Sequence, residues 1–262
     1  LFPDGIGRGY DTCVLEEVSS TMDAARERAG DLTRPLWVLA KRQTGARGRR
    51  GRAWRMPEGN FAATLALPLD RPAPEAALRS FTAALALDDA LTAITGRPAA
   101  LSLKWPNDVL LNGGKVAGIL LESTAKGHLT GLLMIGVGIN LAAAPDASEV
   151  EEGAVRPVSL VGETGHLVPP EEALTLLGDA FAAREDTLTS EGFAPIRSAW
   201  LARAARLGQT IHARTGTETL TGRFEGIDVT GALCLATEEG LITLPAADIH
   251  FAKPEIPNAS LR

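Results

Sequence analysis

The stretch "LSLKWPNDVLLNGGKVAGILLES" runs from Leu101 to Ser123. Its first five residues alternate. Leu101, Leu103 and Trp105 fall on one side of an extended chain, Ser102 and Lys104 on the other. Pro106 cannot donate to a ladder, so the strand stops there, and Asn107-Asp108 forms a turn that fixes its end. A second strand follows, then a turn at Asn112-Gly113-Gly114 and a return strand, "KVAGILLES". Lys104 therefore sits on the polar face of a strand whose other face is apolar. The ordinary place for such a lysine is the sheet surface. The functional alternative is a lysine aimed into a pocket, where a desolvated ammonium stabilises negative charge strongly. "GGKVAG" lacks the full spacing of a phosphate loop and is set aside.

Outward from this segment the chain alternates strands and helices. Thr12–Val18 reads as a first strand. A helix follows, with Ser20 as its cap, Asp23 in its first turn and Gly30 closing it. Leu36–Arg42 is a short strand, and Phe61–Leu69 is another with Pro68 near its end. Pro74–Gly96 reads as one long helix, with Pro early and Gly last. His128–Leu141 is a long apolar strand. Residues from Ala142 to Pro170 are rich in Pro, Gly and acids, and read as an irregular surface insertion with little core of its own. Two helical stretches, "PEEALTLLGDAFAAREDTLTSEG" and "IRSAWLARAARLG", come next. After Gly208 short alternating strands predict a small all-β barrel of about five strands. The predicted organisation is one α/β (α+β) domain over 1–206 and a β-barrel domain over 207–262.

Composition narrows the function classes. The 262 residues carry 26 Lys+Arg against 32 Asp+Glu, a formal charge of −6. That balance argues against general nucleic-acid coating, which shows as a basic domain. Cys13 and Cys234 lie far apart and read as buried thiols in a reducing compartment. No apolar run is long enough to span a membrane, and no signal peptide opens the chain, so the cytoplasm is expected. The four histidines have no ligand-like spacing, so no built-in metal site is expected.

Against this acidic background "RQTGARGRRGRAW" (Arg42–Trp54) holds five arginines, three glycines and no acid. Arg47, Arg49, Arg50 and Arg52 cannot all be buried without partners. Their guanidinium forks suit phosphate or carboxylate. The glycines let the backbone approach a ligand and suit a closing lid. The bland alternative is a solvated, mobile loop, and the loop alone does not separate the two. "GVGIN" (Gly136–Asn140) completes no dinucleotide fingerprint, and tight packing is its simpler reading. "GIGRG" near the N-terminus precedes any helix and is weaker still.

Taken in order, Ser20-Thr21 opening a helix, "QTGARGRRGRAW", "KWPNDVLLNGGKVAGILLES", "GVGIN" and a C-terminal β module resemble the biotin protein ligases. The resemblance spans most of the chain. Each motif is weak alone, and the ordered set is highly specific. The resemblance implies a catalytic domain related to class II aminoacyl-tRNA synthetases and lipoate ligases, followed by an SH3-like barrel. It implies a reaction in two steps. Biotin's carboxylate attacks the α-phosphate of ATP, giving biotinyl-5′-AMP and pyrophosphate. A lysine amine of a biotin carboxyl carrier domain then displaces AMP. Magnesium accompanies the triphosphate. Bringing two anions together demands fixed positive groups.

By this resemblance Lys104 and Arg49 are the catalytic residues. Ser20, Thr21, Met22, Gln43, Arg47, Gly48, Arg49 and Lys104 bind biotin and the adenylate phosphate. Arg50, Trp54, Lys115 and Asn140 contact the nucleotide. Two residues depart from the family pattern. Met22 stands where Asn is usual, and Ala46 stands where the lid usually has Gly. The chain also resembles the monofunctional type, because no N-terminal winged helix-turn-helix fits before Thr12; no DNA partner is expected. A homodimer is compatible with the sequence, which leaves the oligomeric state open. Three other functions compete: a lipoate or octanoate ligase on the same fold, an anion- or nucleic-acid-binding module, and a scaffold with a dead active site. The intact Arg49 and Lys104 weigh against the last.

Overall fold

The computed structural model describes residues 9–151 and 153–251. Most of "GIGRG" (5–9) and the tail 252–262 lie outside the described residues. The elements run β1 (Asp11–Val18), α1 (Thr21–Glu27), β2 (Leu36–Gln43), β3 (Phe61–Arg71), α2 (Ala73–Ala77) and α3 (Arg79–Thr95). Next come β4 (Leu101–Lys104), β5 (Asp108–Leu111), β6 (Gly114–Lys126), β7 (Leu129–Ile139) and α4 (Leu160–Thr164). The chain continues with α5 (Pro170–Glu191), α6 (Phe193–Ala202), β8 (Thr210–Arg214), β9 (Thr219–Ile227), β10 (Leu233–Thr237), β11 (Gly240–Leu244) and β12 (Asp248–Phe251).

Seven strands form one sheet in the order β1-β2-β3-β7-β6-β5-β4. Only β1 and β2 pair in parallel, and α1 makes the crossover that parallel pairing requires. Every other pair is antiparallel. The quoted stretch is three of these strands, β4, β5 and β6. Asn112 and Gly113 both take positive φ in the turn between β5 and β6, as a tight hairpin demands.

Alternation along the strands divides the core. Trp37, Leu39, Phe61, Ala63 and Leu65 face the layer of α3, α5 and α6 and are fully buried there. Val38, Ala66 and Met134 pack instead with Met22 and Ala25 of α1 on the opposite face. Alanines along α3 let α5 approach closely. The buried Arg79–Glu185 pair ties these two helices together. Burial and the nearby acids push the Tyr10 hydroxyl up to about 12.

A second sheet, β11-β10-β9-β8-β12, is wholly antiparallel. It is the five-stranded β module expected after Gly208. The two sheets are linked: Trp105 Nε1 donates to Gly231 O at 3.0 Å. No helix among the described residues is long and apolar enough to cross a membrane.

Several predicted boundaries change. The first helix stops at Glu27 rather than Gly30, because the Arg28 side chain donates to Ala24 O in its last turn. The Pro74–Gly96 helix is two helices that meet at Leu78, whose N–H turns back to Glu75 O. β3 continues past Pro68 to Arg71, and its register shifts there because proline donates no ladder bond. Helix α6 ends at Ala202, short of Gly208. The segment after it instead pairs with the outer edge of β4 through Leu103 N to Arg203 O and Ala205 N to Leu103 O. Cys13 and Cys234 are free but only half-buried. The 142–170 stretch is no mere surface insertion. Val158, Leu160 and Val168 are buried in the main core, and Lys115 exchanges backbone bonds with Arg156 and Val158.

Candidate active site

A cavity of about 470 Å³ opens on the α1 face of the large sheet, within the roughly 300–1,000 Å³ usual for small-ligand pockets. Its floor follows from register. Lys104 pairs with Asp108, Asp108 with Gly118, and Gly118 with Gly138. One row across four strands thus sets a lysine and an aspartate beside two glycines. The next row but one along β7 holds Gly136, flanked by Thr64 and Leu120.

The glycines make room for side chains above them. A Cβ on Gly138 would stand 2.6 Å from the Trp54 indole, and one on Gly118 would stand 3.2 Å from it. A Cβ on Gly136 would meet the Met22 methyl at 2.9 Å. "GVGIN" is therefore tight packing of a specific kind: two glycines hold open the seats of Trp54 and Met22. Lys115 Nζ lies 5.5 Å from the Trp54 ring centroid, a cation–π distance.

Lys104 is buried, at 9% exposure, and so is not at the sheet surface. Its Nζ lies 3.2 Å from Asp108 Oδ2, while Lys115 Nζ lies 2.6 Å from Asp108 Oδ1. Burial alone would raise the Asp108 carboxyl. The two lysines outweigh burial and hold it below the ordinary carboxylate range. Asp108 is therefore more than a turn residue: it fixes two ammonium groups in the cavity wall.

The opposite end is built by α1. Ser20 caps the helix by accepting from Met22 N. Thr64 Oγ donates to Thr21 Oγ at 2.8 Å, and Thr21 donates to Gln43 Oε1 through its N–H at 2.7 Å and its hydroxyl at 3.1 Å. This chain of bonds orients Thr21 and Gln43, one from α1 and one from the end of β2.

The basic loop lies between the two ends and is held by carboxylates on both sides. Arg47 forms a bidentate pair with Asp23, at 2.8 and 2.9 Å, and also reaches Glu122. The hydrogen bonds that Arg47 donates hold the Asp23 carboxyl below its ordinary value, and the same bonds raise Arg47 in turn. Arg49, Arg50 and Arg52 all reach Asp248 of β12. Arg52 also pairs with Glu151 at 2.9 Å. Burial lowers the Arg49 guanidinium, and the carboxylates of Asp248 and Asp108 oppose that shift. The Ala46 departure carries no backbone strain, because Ala46 is not among the positive-φ residues and its carbonyl accepts from Trp54 N at 3.0 Å.

Ser20, Thr21, Met22, Gln43, Arg47, Gly48, Arg49, Trp54, Lys104, Lys115 and Asn140 all line this one cavity. Arg50 does not, although its guanidinium pairs with Asp248, which does. Asn140 is buried and donates to Val158 O at 3.0 Å. Sequence reasoning missed Asp108 as an organiser of the lysines, Asp248, and the wall formed by Glu149–Glu151 and Ala154–Pro157. For Asp108 a signal existed, an acid close after Lys104 across a turn. Asp248 lies almost two hundred residues from the loop it meets, beyond any local pattern.

A mixed sheet thus carries a cation-rich cavity on one face, closed by a small antiparallel sheet. Comparisons with known proteins give this arrangement its class, the protein ligases of the biotin/lipoate type. Residues 14–140 match the biotin/lipoate A/B protein ligase family, and residues 207–251 match the biotin protein ligase C-terminal domain. The chain is 56% identical over 238 residues to a biotin–[acetyl-CoA-carboxylase] ligase of Paracoccus denitrificans, covering 91% of this chain and 99% of that one. It is 33% identical to the bifunctional ligase/repressor BirA of Bacillus spizizenii, covering 93% of this chain and 74% of that protein. Among solved structures, the biotin protein ligase of Aquifex aeolicus in complex with biotin and ATP superposes with a TM-score of 0.76. That match is at 26% identity and covers 92% of this chain and 99% of that one. The chain belongs to the biotin protein ligase family.

Proposed function

We infer that this protein joins biotin to one lysine of a biotin carboxyl carrier domain, consuming ATP and passing through biotinyl-5′-AMP. The relative at 56% identity is a biotin–[acetyl-CoA-carboxylase] ligase, and its whole length aligns with this chain. The observation that carries the reading is convergence: Arg49, Arg52, Lys104 and Lys115 meet around one cavity of about 470 Å³. Such a set neutralises a carboxylate and a phosphate held together and stabilises charge developing at phosphorus.

In this reading Lys104 and Arg49 act on the reacting atoms. Thr21 and Gln43, locked by their shared hydrogen bonds, orient biotin beside Ser20, Met22, Arg47 and Gly48. Trp54, Lys115 and Asn140 contact the nucleotide, with Trp54 offering a flat face. Magnesium, when bound with the nucleotide, offsets triphosphate charge. Among the described residues no three His, Cys, Asp or Glu side chains form a ready cluster. The division into a catalytic domain over 1–206 and a barrel over 207–262 is supported by the C-terminal family match that begins at 207. We assign action in the cytoplasm without a DNA partner; the net charge of −6 argues against nucleic-acid coating. A homodimer accords with this reading, and sedimentation at working concentration reads it directly.

The test incubates the protein with ATP, magnesium, biotin and a carrier domain. Intact-mass measurement is expected to find one biotin added to one lysine. No adduct, or equal transfer of lipoate, overturns the reading and in the latter case favours the lipoate alternative.

A further inference from the structure

The C-terminal sheet supplies β12 to the cavity: Asp248, Ile249 and His250 line it, and the Phe251 ring lies 5.9 Å from Lys104 Nζ. Asp248 stands out. Its carboxylate meets three guanidinium groups, at 3.3 Å from Arg49, 2.8 Å from Arg50 and 2.9 Å from Arg52. It is the common partner of the arginines on this arm of the basic loop. Three like charges brought together repel one another unless an anion sits among them.

Arg50 adopts φ 56° and ψ 25°, the left-handed region, inside the short Arg49–Gly51 turn. A non-glycine residue holds that conformation only where its surroundings over-determine it. At Arg50 the surroundings are the ion pair to Asp248 and the backbone bonds of the turn, Gly48 N to Arg52 O and Arg52 N to Arg49 O.

We propose that Asp248 is a positioning residue for adenylation: it gathers Arg49, Arg50 and Arg52 and so presents Arg49 and Arg52 to the nucleotide phosphates. Each guanidinium has five N–H donors, and Asp248 takes one nitrogen from each. Donors therefore remain on the two arginines that line the cavity. Arg50 completes the cluster from outside the wall. The C-terminal sheet thus shapes an active-site loop almost two hundred residues away in sequence. This inference rests on the ligase reading above.

The experiment compares wild type with Asp248→Asn and Asp248→Glu, full length, in two assays. In the first, steady-state biotinylation is followed with ATP and biotin varied separately. Asp248→Asn is expected to raise KM for ATP about tenfold, with a clearly smaller rise in KM for biotin through Arg49, and Asp248→Glu to restore most of it. In the second, limited trypsin cleavage of the basic loop is timed with and without inorganic pyrophosphate. Asp248→Asn is expected to be cut faster and to gain less protection from pyrophosphate than wild type. An unchanged KM for ATP together with wild-type cleavage overturns the proposal. So does an equal rise in both KM values, which is the mark of general loosening. If wild type itself forms no biotin adduct, the ligase reading fails, and the cleavage assay still decides whether Asp248 orders the loop.

Discussion

Asp108 and Asp248 each gather several cations at the cavity, one from within a β-sheet and the other across a loop. Asp108 pairs with Lys104 through strand register and with Lys115 by a side-chain contact from β6, and the three groups belong to adjacent strands of one hairpin system. Asp248 pairs with Arg49, Arg50 and Arg52 from another sheet. The first arrangement is rigid because backbone ladders fix its geometry. The second depends on a glycine-jointed loop meeting the C-terminal module. The proposed reaction calls for both kinds: a fixed charge at the reacting atoms, and an adjustable clamp that admits ligands and excludes water.

The comparison breaks most sharply at Lys104. Lys104→Ala removes the fixed charge, and adduct formation is expected to fall by about a thousandfold, the upper range for loss of one transition-state donor. Single-turnover formation of the adenylate measures it; a rate within a few-fold of wild type refutes the role given to Lys104.

Asp108→Asn is the next largest. It leaves two lysines near each other with no counter-charge, and breaking a buried pair this way costs about 3 kcal/mol of stability. Denaturant unfolding and the adduct rate are both expected to drop. The pH dependence has a definite sign. The folded-state carboxyl of Asp108 lies below its unfolded value. Its stabilisation is present above the ordinary aspartate range, and is lost as pH falls through the folded value. Wild-type unfolding free energy should therefore decline more steeply than that of Asp108→Asn on acidification below about pH 4. Parallel curves contradict the account.

Gly138→Ala tests the floor without touching charge. The added methyl meets the Trp54 indole, and overpacking of this kind costs about 1–3 kcal/mol. KM for ATP is expected to rise about tenfold as Trp54 is displaced, with a blue or red shift of tryptophan emission reporting the move. Unaltered emission and KM would mean that Trp54 has another seat.

The smallest effect belongs to Asp23 and Arg47 at the half-exposed end of the loop. Pairs so open to water contribute up to about 1 kcal/mol. A double-mutant cycle on Asp23→Asn and Arg47→Gln is expected to give a coupling of that order that weakens in salt. Strong, salt-independent coupling would make this end of the loop resemble the Asp108 cluster.

Much of the site was legible because it follows local rules. The cap at Ser20, the β4–β6 hairpins and the basic loop each announce themselves by residue type and spacing. Lys104 on the polar side of an apolar strand was visible too, although burial was what turned it from a surface residue into a cavity one. The 142–170 stretch reads as a surface insertion because its buried residues, Val158, Leu160 and Val168, fall in short apolar runs cut by Pro, Gly and acids and give no period. Helix α6 was extended too far because "ARAARL" has helical composition, while the edge of β4 offered its backbone a better partner.

The sequence by itself determined the strands, their hairpins, the caps and the placing of charge in one loop, since each depends on neighbours within a few residues. Only the tertiary structure decided which acids answer those arginines, which glycines seat Trp54 and Met22, and that β12 closes the cavity. Those contacts join residues far apart in the chain. Their energies depend on distance and burial, which linear spacing does not carry.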